Sequence, residues 1–326
     1  RYDGLVRGVT RAQVRAAAQE LVSFAKRRGT PVVLDAPWGE PIDPQRLADC
    51  LKVHPDTRIV AFVHAETSTG CESDAAALIR IAHEYGALTI VDAVTSLGGS
   101  PVKVDAWGAD AIYAASQKCL SCTPGLSPVS FNTRAIEKVR ARKTRVQSWF
   151  MDLNLVLEYW AASARTYHHT APGNSLYALH EALLLLREEG LEAAWARHRR
   201  HHLALKSGSD AMGFTLLVNE GARLPQMNAV RVPEGVDEKE VRRRLLAEFN
   251  LEIGAGLGPL AGKIWRFGIM GYSCKPENVM LCLSALGSVL SDMAYPVEVG
   301  QAESAAHHAY ASLHTEAAKA VGGRGR

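Results

Sequence analysis

RIVAFVHAETSTGCESDAAALIRIAHEYGALTIVD, residues 58–92, decides how this chain folds. RIVAFV and ALTIVD are short apolar runs rich in β-branched residues, the composition of strands. Between them, DAAALIRIAHEYG reads as a helix. Strand, helix and strand in this order predict a parallel pair, because a crossover of helical length brings the chain back to the same end of the sheet.

Outward from this unit the alternation continues. Upstream, TRAQVRAAAQELVSFAKRRG (10–29) has helical spacing, PVVLD (31–35) is a short β-branched run and DPQRLADCLKVH (43–54) opens with an Asp-Pro helix start. Downstream, AIYAAS (111–116) and SPVSFN (127–132) add two strands. The fold class expected is α/β, with a mostly parallel central sheet and helices on both faces.

After Arg134 longer helical segments take over: WFMDLNLVLEYWAASA, SLYALHEALLLLREEG and the helix carrying LEAAWARHRRHH. Strand-like TLLV, MNAVRV, LEIG and IWRFG then mix with helix-like DEKEVRRRLLAEFN and PENVMLCLSALGSVL, the pattern of a smaller α+β domain. The boundaries expected are a large domain over 1–190, a small C-terminal domain over 191–295 and a poorly ordered, partly helical tail over 296–326.

Composition narrows the function. The chain has 326 residues, 47% of them hydrophobic, and a formal charge of +3, which does not point to a nucleic-acid partner. The basic run RHRRHH (197–202) reads as a solvated helix face. Six cysteines in this length form no disulfide framework, and no secretory signal is visible, so a reducing intracellular compartment is expected. Cys119 and Cys122 form a lone CxxC without the second pair a structural zinc site needs, and read as unpaired thiols in a turn; no metal is expected. No apolar run approaches the roughly 18 residues of a membrane span.

In open parallel sheets ligands bind beyond the carboxyl ends of the strands. There the sequence places the Thr67–Gly70 turn, Asp92, Ser116-Gln117-Lys118 and, within IWRFG, Arg266. A lysine in a low-dielectric site becomes a nucleophilic amine, and a carboxylate can hold a protonated pyridine nitrogen, so Lys118 with Asp92 fits pyridoxal phosphate. Arg266 would hold a substrate carboxylate bidentately. The same residue types also fit a helix cap, a solvated lysine and an unremarked strand arginine. The glycine-rich GAGLGPLAGK (254–263) has neither P-loop spacing nor the third glycine of a dinucleotide fingerprint.

The wording of the motifs separates these readings. HAETSTG (64–70), IVDAVTSLGG (90–99), DAIYAASQKCLSCTPGLSPVSF (110–131), RTYHHTAP (165–172) and LEIGAGLGPLAGKIWRFGIMG (251–271) resemble, in order and spacing, landmarks of the alanine-glyoxylate and serine-pyruvate aminotransferases, class V pyridoxal-phosphate enzymes of fold type I. The resemblance runs from about residue 31 to 292. It implies that Lys118 is the Schiff-base lysine and proton shuttle and that Asp92 pairs with the pyridine nitrogen. Val94 would pack on the ring, Thr67 contact the ring hydroxyl region and Gln117 reach the phosphate. Tyr167 and Thr170 would reach the phosphate of a neighbouring subunit, implying a homodimer with shared sites, and Arg266 would bind the substrate carboxylate. The implied reaction is ping-pong transfer of an amino group from alanine or serine to glyoxylate or pyruvate.

The sequence departs from that family ahead of the matching region. RYDGLVRGVTRAQVRAAAQE contains no Gly/Ser-rich phosphate cup, and a small residue stands where a ring-stacking aromatic is expected. Weaker cofactor retention and a fragment of a longer transaminase, or a shortened relative that binds a partner without catalysis, are the expectations. A class V lyase such as a cysteine desulfurase is the other alternative, although Gln117 stands where those enzymes carry histidine and Cys274 is the nearest thiol after Arg266. The GGRGR terminus is not a serine-lysine-leucine peroxisomal signal, so peroxisome, mitochondrion and cytoplasm stay open.

Overall fold

The computed structural model describes residues 32–161 and 166–322. Two compact units divide the chain, Arg1–Asp35 and Ala36–Arg326, and the elements below belong to the second. The helix expected over 10–29, and the stretch lacking a phosphate cup, lie outside the described residues. Residues 32–35 of the strand expected at PVVLD pair with no strand among the described residues, and Val32 and Val33 are exposed. β-Branched composition favours a strand only where a partner and a packing surface exist.

The central sheet follows the sequence pattern. Pro44–Val53 (α1) starts on the Asp43 cap, which accepts the Gln45 N–H at 2.8 Å, with proline in the first turn. Ile59–Val63 (β1) leads through a small antiparallel pair, Ala65–Glu66 (β2) and Cys71–Glu72 (β3), into Ala75–Glu84 (α2). Asp74 caps α2 by accepting the Ala77 N–H at 3.0 Å. Leu88–Asp92 (β4) then pairs with β1 in parallel, as the crossover requires. After the short helix Val104–Trp107 (α3), Ala111–Tyr113 (β5) pairs parallel to β4 and Val129–Phe131 (β6) antiparallel to β5, giving the order β1-β4-β5-β6. The turn that carries Lys118 thus replaces a helical crossover at this edge.

Leu78 and Ile79 of α2 are fully buried, and Ile79 packs with Val91 and Ile112 on one face of the sheet. Each such side chain contributes about 1.5–3 kcal/mol of burial. Asp92 and Tyr113 share the opposite face, since they are register partners in a parallel pair. Buried Asp110 ties the layers together. Burial alone would raise its pKa, but hydrogen bonds from Asn132 Nδ2 (2.9 Å), His83 Nε2 (2.8 Å) and Thr89 N (2.8 Å), with Arg134 at 3.2 Å, more than offset it and hold the carboxyl below its ordinary value.

Helices Thr133–Arg140 (α4), Leu153–Ala161 (α5) and Gly173–Glu189 (α6) follow, then the long Leu191–Ala211 (α7). A second, antiparallel sheet is built from Met227–Arg231 (β7), Gly254–Ala255 (β8) and Ile264–Gly268 (β9) in the order β7-β9-β8. Glu238–Phe249 (α8), Pro276–Asp292 (α9) and Gln301–Gly322 (α10) complete the chain. Of TLLV, Leu216 alone makes a bridge, to Val230. LEIG stays irregular up to Gly254: Asn250 is left-handed (φ 52°) and the Leu251 N–H returns to Leu245 O at 3.1 Å, so the chain is still leaving α8.

Two surface expectations are corrected. The first half of the tail is docked: α10 inserts Ala302 and Ala306 into the core around Trp265, Leu283 and Leu290. Alanines four residues apart form a smooth stripe that lets one helix lie close to another. The basic run is not a solvated face either. His198, His201 and His202 are buried, bonded to Ala194 O, Tyr310 Oη and Asn228 Oδ1 at 2.7, 2.7 and 2.5 Å, and Arg197 forms an ion pair with Glu189. His201 and His202 lie one turn after His198 on the inner side of α7, a spacing hidden by the arginines between them.

Burial pushes all three imidazoles below their ordinary pKa, His201 to about 4. Below about pH 6.5 the unfolded chain therefore binds protons that the folded chain refuses, and stability falls with pH until the folded values are passed. Thermal melts from pH 8 downward should show a constant midpoint to about pH 6.5 and then a steady fall towards pH 4. A flat midpoint across that window would show the histidines to be hydrated. No helix among the described residues is long and apolar enough to cross a membrane.

Candidate active site

Asp92 stands at the carboxyl end of the central strand β4, where no side chain of a following residue in the strand covers it. Its Oδ1 accepts the Val94 N–H at 2.9 Å and its Oδ2 accepts the Tyr113 hydroxyl at 2.8 Å. Each oxygen retains a lone pair for a further donor. Burial first, and the hydrogen bond to Asp92 second, push the Tyr113 phenol up to about 12, so it remains a donor throughout the physiological range.

The Thr67–Gly70 turn, between β2 and β3, faces this strand end. Thr67 Oγ1 is hydrogen-bonded to Thr95 Oγ1, three residues after Asp92. Gly70 closes the turn with φ 75°, and a Cβ there would run into the carbonyl of Met227 on β7, so only glycine brings the turn this close to the second sheet. Behind it, buried His64 bonds Ser96 Oγ through Nδ1 at 2.8 Å and lies 3.5 Å from Glu72 through Nε2.

Lys118 sits half-buried on the turn after β5. That turn is closed by the Cys122 N–H to Ser116 O at 2.9 Å and by Ser116 Oγ to Thr123 O at 2.6 Å. Next to the lysine, Cys119 is buried and directs its thiol to Thr95 O at 3.6 Å. Thr95 O also accepts Gln226 Nε2 at 2.9 Å. Arg266, central in the second sheet, donates from Nε to Ala255 O at 2.8 Å and from Nη1 to Thr67 O at 3.1 Å. Burial lowers its pKa and nearby Glu66 opposes that shift, leaving a guanidinium with an unused edge.

Thr95 thus links the lysine turn, through Cys119, with the Thr67 turn whose carbonyl takes Arg266, and it stands three residues after Asp92 in the chain. Val94 lies within this group, by its backbone bond to Asp92. Gln117 is exposed beside Lys118. Tyr167 and Thr170 lie apart; their hydroxyls bond each other at 2.5 Å, and no hydrogen bond among the described residues joins them to the Asp92 group. Tyr113, Thr95 and Gln226 escaped the sequence reading. Two of them stand inside motifs already singled out, IVDAVTS and AIYAAS; Gln226, 131 residues from Thr95, carries no local signal.

Burial pushes the Cys119 and Cys274 thiols each up to about 12, which disfavours the reactive thiolate. Cys119 and Cys122 are both free, as expected for unpaired thiols in a turn.

The sequence model of the family described as "Aminotransferase class-V" matches residues 9–274. The (S)-ureidoglycine–glyoxylate transaminase of Bacillus subtilis is 40% identical over 91% of this chain and 76% of its own length. The alanine–glyoxylate aminotransferase of Callithrix jacchus is 39% identical over 71% of this chain, which spans 57% of that relative. Among solved structures, alanine–glyoxylate aminotransferase from Nostoc sp. superposes with a TM-score of 0.79 at 46% identity, covering 83% of this chain and 72% of its own.

Proposed function

Given that this chain belongs to the class-V aminotransferases, whose family model matches residues 9–274, we propose that it transfers an amino group from a small amino donor to glyoxylate. Its fold is fold type I of the pyridoxal-phosphate enzymes, a class that uses pyridoxal phosphate. The donor set fits the ring end of that group. Lys118 offers an amine, Asp92 an anion with free lone pairs, and the Thr67–Thr95 pair hydroxyls; buried Thr69 Oγ1 has no protein partner among the described residues.

When bound, the cofactor supplies a carbonyl that captures amines and a ring that takes up electron density from the donor's α-carbon. The chain supplies the rest. Lys118 Nζ would hold the group covalently and, as the free amine, would carry the proton of the donor's α-carbon. Asp92 would hold a protonated pyridine nitrogen and Val94 would pack on the ring. Arg266 fixes the donor carboxylate with the guanidinium edge its two backbone bonds leave free. Gln117 serves the phosphate, and Tyr167 and Thr170 that of a second copy in a homodimer. Exposed Trp160 and Tyr177 near this loop support the pairing.

The observation that supports this reading is the convergence of the Lys118 turn and Arg266 on Thr95 and Thr67, three residues along the chain from Asp92 at the end of β4. The relatives' names share glyoxylate and differ in donor: alanine in one, (S)-ureidoglycine in the other. Alanine or serine is the first donor reading, and (S)-ureidoglycine the second, favoured by the 40% identity over 91% of the chain. Cys274 weighs against a cysteine lyase, since a mobile nucleophile is not buried with its thiol directed at Arg197 O.

The test is glycine formation from glyoxylate by the full chain with pyridoxal phosphate and each donor in turn. Glycine from alanine or serine supports the first donor, glycine from (S)-ureidoglycine alone the second, and no glycine with any donor removes the reading. Arg266→Lys should raise KM for the productive donor by about 10- to 100-fold, the loss of a charge-assisted bidentate contact.

A further inference from the structure

The turn that presents Lys118 is strained. Ser121, three residues on, is left-handed at φ 60° although it is not glycine, and its N–H closes the turn on Lys118 O at 2.9 Å. Such a conformation persists where surrounding contacts hold it. Here the contact comes from a segment about 150 residues away. The Tyr272 N–H donates to Ser121 Oγ at 2.7 Å, and Gly271 lies so close that a Cβ would strike Ser121 Oγ and come 2.7 Å from Cys119 O. Gly271 has φ 52°, open to glycine at no steric cost.

That corner is itself held from α7. The Gly271 N–H donates to His198 Nε2 at 3.0 Å, while His198 Nδ1 donates to Ala194 O at 2.7 Å, which fixes a neutral imidazole with its lone pair towards Gly271. The Gly271 carbonyl accepts Arg197 Nη1 at 2.7 Å, and the same nitrogen reaches Cys274 O at 3.0 Å. Arg197 is oriented by a two-point ion pair with Glu189, at 2.5 and 2.8 Å. Both backbone polar groups of one glycine are thus committed to buried or half-buried side chains of a single helix.

We propose that the Gly271–Tyr272 corner is a positioning clamp for Lys118, held by Arg197 and His198 of α7. The proposal rests on the reading of Lys118 as the cofactor-binding lysine. None of these residues touches substrate; they act by fixing the turn from which the amine projects. The clamp also explains why the basic run is turned inward.

Ser121 is exposed, so its substitution spares the core. Ser121→Ala removes the hydroxyl and keeps the strain; Ser121→Gly removes the hydroxyl and relieves the strain. Two measurements on the full chain separate the roles. Amide hydrogen exchange at Ser121, Cys122 and Tyr272 reads the clamp without cofactor, with the amides of β4 as the control. Borohydride trapping of pyridoxal phosphate on Lys118, read by mass spectrometry at subsaturating cofactor, reads the amine's placement.

Both variants should speed exchange at the three amides, and lower trapping at Lys118, by about five- to tenfold, as for loss of one hydrogen bond, while β4 is unchanged. Exchange equal to wild type in Ser121→Gly overturns the clamp, since the turn then needs no hydroxyl. Faster exchange with undiminished trapping overturns the positioning role. A wild-type chain that takes no label at Lys118 overturns the proposed cofactor role instead, and exchange alone then decides whether the clamp exists.

Discussion

Lys118→Ala is expected to abolish covalent capture of pyridoxal phosphate and to lower glycine formation from glyoxylate by at least about 10³-fold, with the fold unchanged. In the proposed reaction two roles fall on one nitrogen, holding the cofactor and carrying the donor's α-proton, so neither would survive its removal. The turn itself is closed by backbone groups and by Ser116, Ser121 and Tyr272, none of which depends on the lysine side chain. Thermal midpoints of variant and wild type should therefore agree. Lys118→Arg makes the complementary point, since it keeps a positive charge and loses a nucleophilic amine. It should be as inactive as alanine. Activity within tenfold of wild type in either variant would remove Lys118 from the chemistry and with it the proposed reaction.

The parts of the fold visible in the sequence are those in which one local signal suffices. Asp74 before an apolar helical run and the glycine after it delimit α2 almost to the residue, and strand, helix and strand over 58–92 dictated the parallel pairing of β1 with β4. Short range fails where partners are distant. PVVLD has strand composition, yet residues 32–35 have no strand beside them among the described residues; LEIG has the composition too, and Asn250 is still turning the chain away from α8. The basic run misled because charge density hid three histidines spaced to face inward, and the alanine-rich tail because small side chains look polar in composition and pack closely in space. In the site, the strand-end rule located Asp92 and the lysine turn. It could not find Gln226 or Gly271, whose importance lies in contacts more than a hundred residues away.

Asp92→Asn is the second large effect: a fall of about 10²- to 10³-fold in glycine formation, the loss expected when a placed charge is removed from a reacting group. The substitution is nearly isosteric. Its amide oxygen still accepts the Val94 N–H, and its NH₂ meets the Tyr113 oxygen, which can turn from donor to acceptor. What disappears is the negative charge that, in the proposed reaction, would keep a proton on the pyridine nitrogen. Tyr113→Phe provides the contrast, because it leaves the charge and removes one of the two groups orienting it. Its expected effect is about two- to tenfold, that of one hydrogen bond. The order of the two variants separates charge from geometry. If Tyr113→Phe costs as much as Asp92→Asn, the phenol itself takes part in the reaction, and the carboxylate is no more than its support. If Asp92→Asn stays within a few-fold of wild type, β4 ends in a turn-capping aspartate and no pyridine nitrogen is held there.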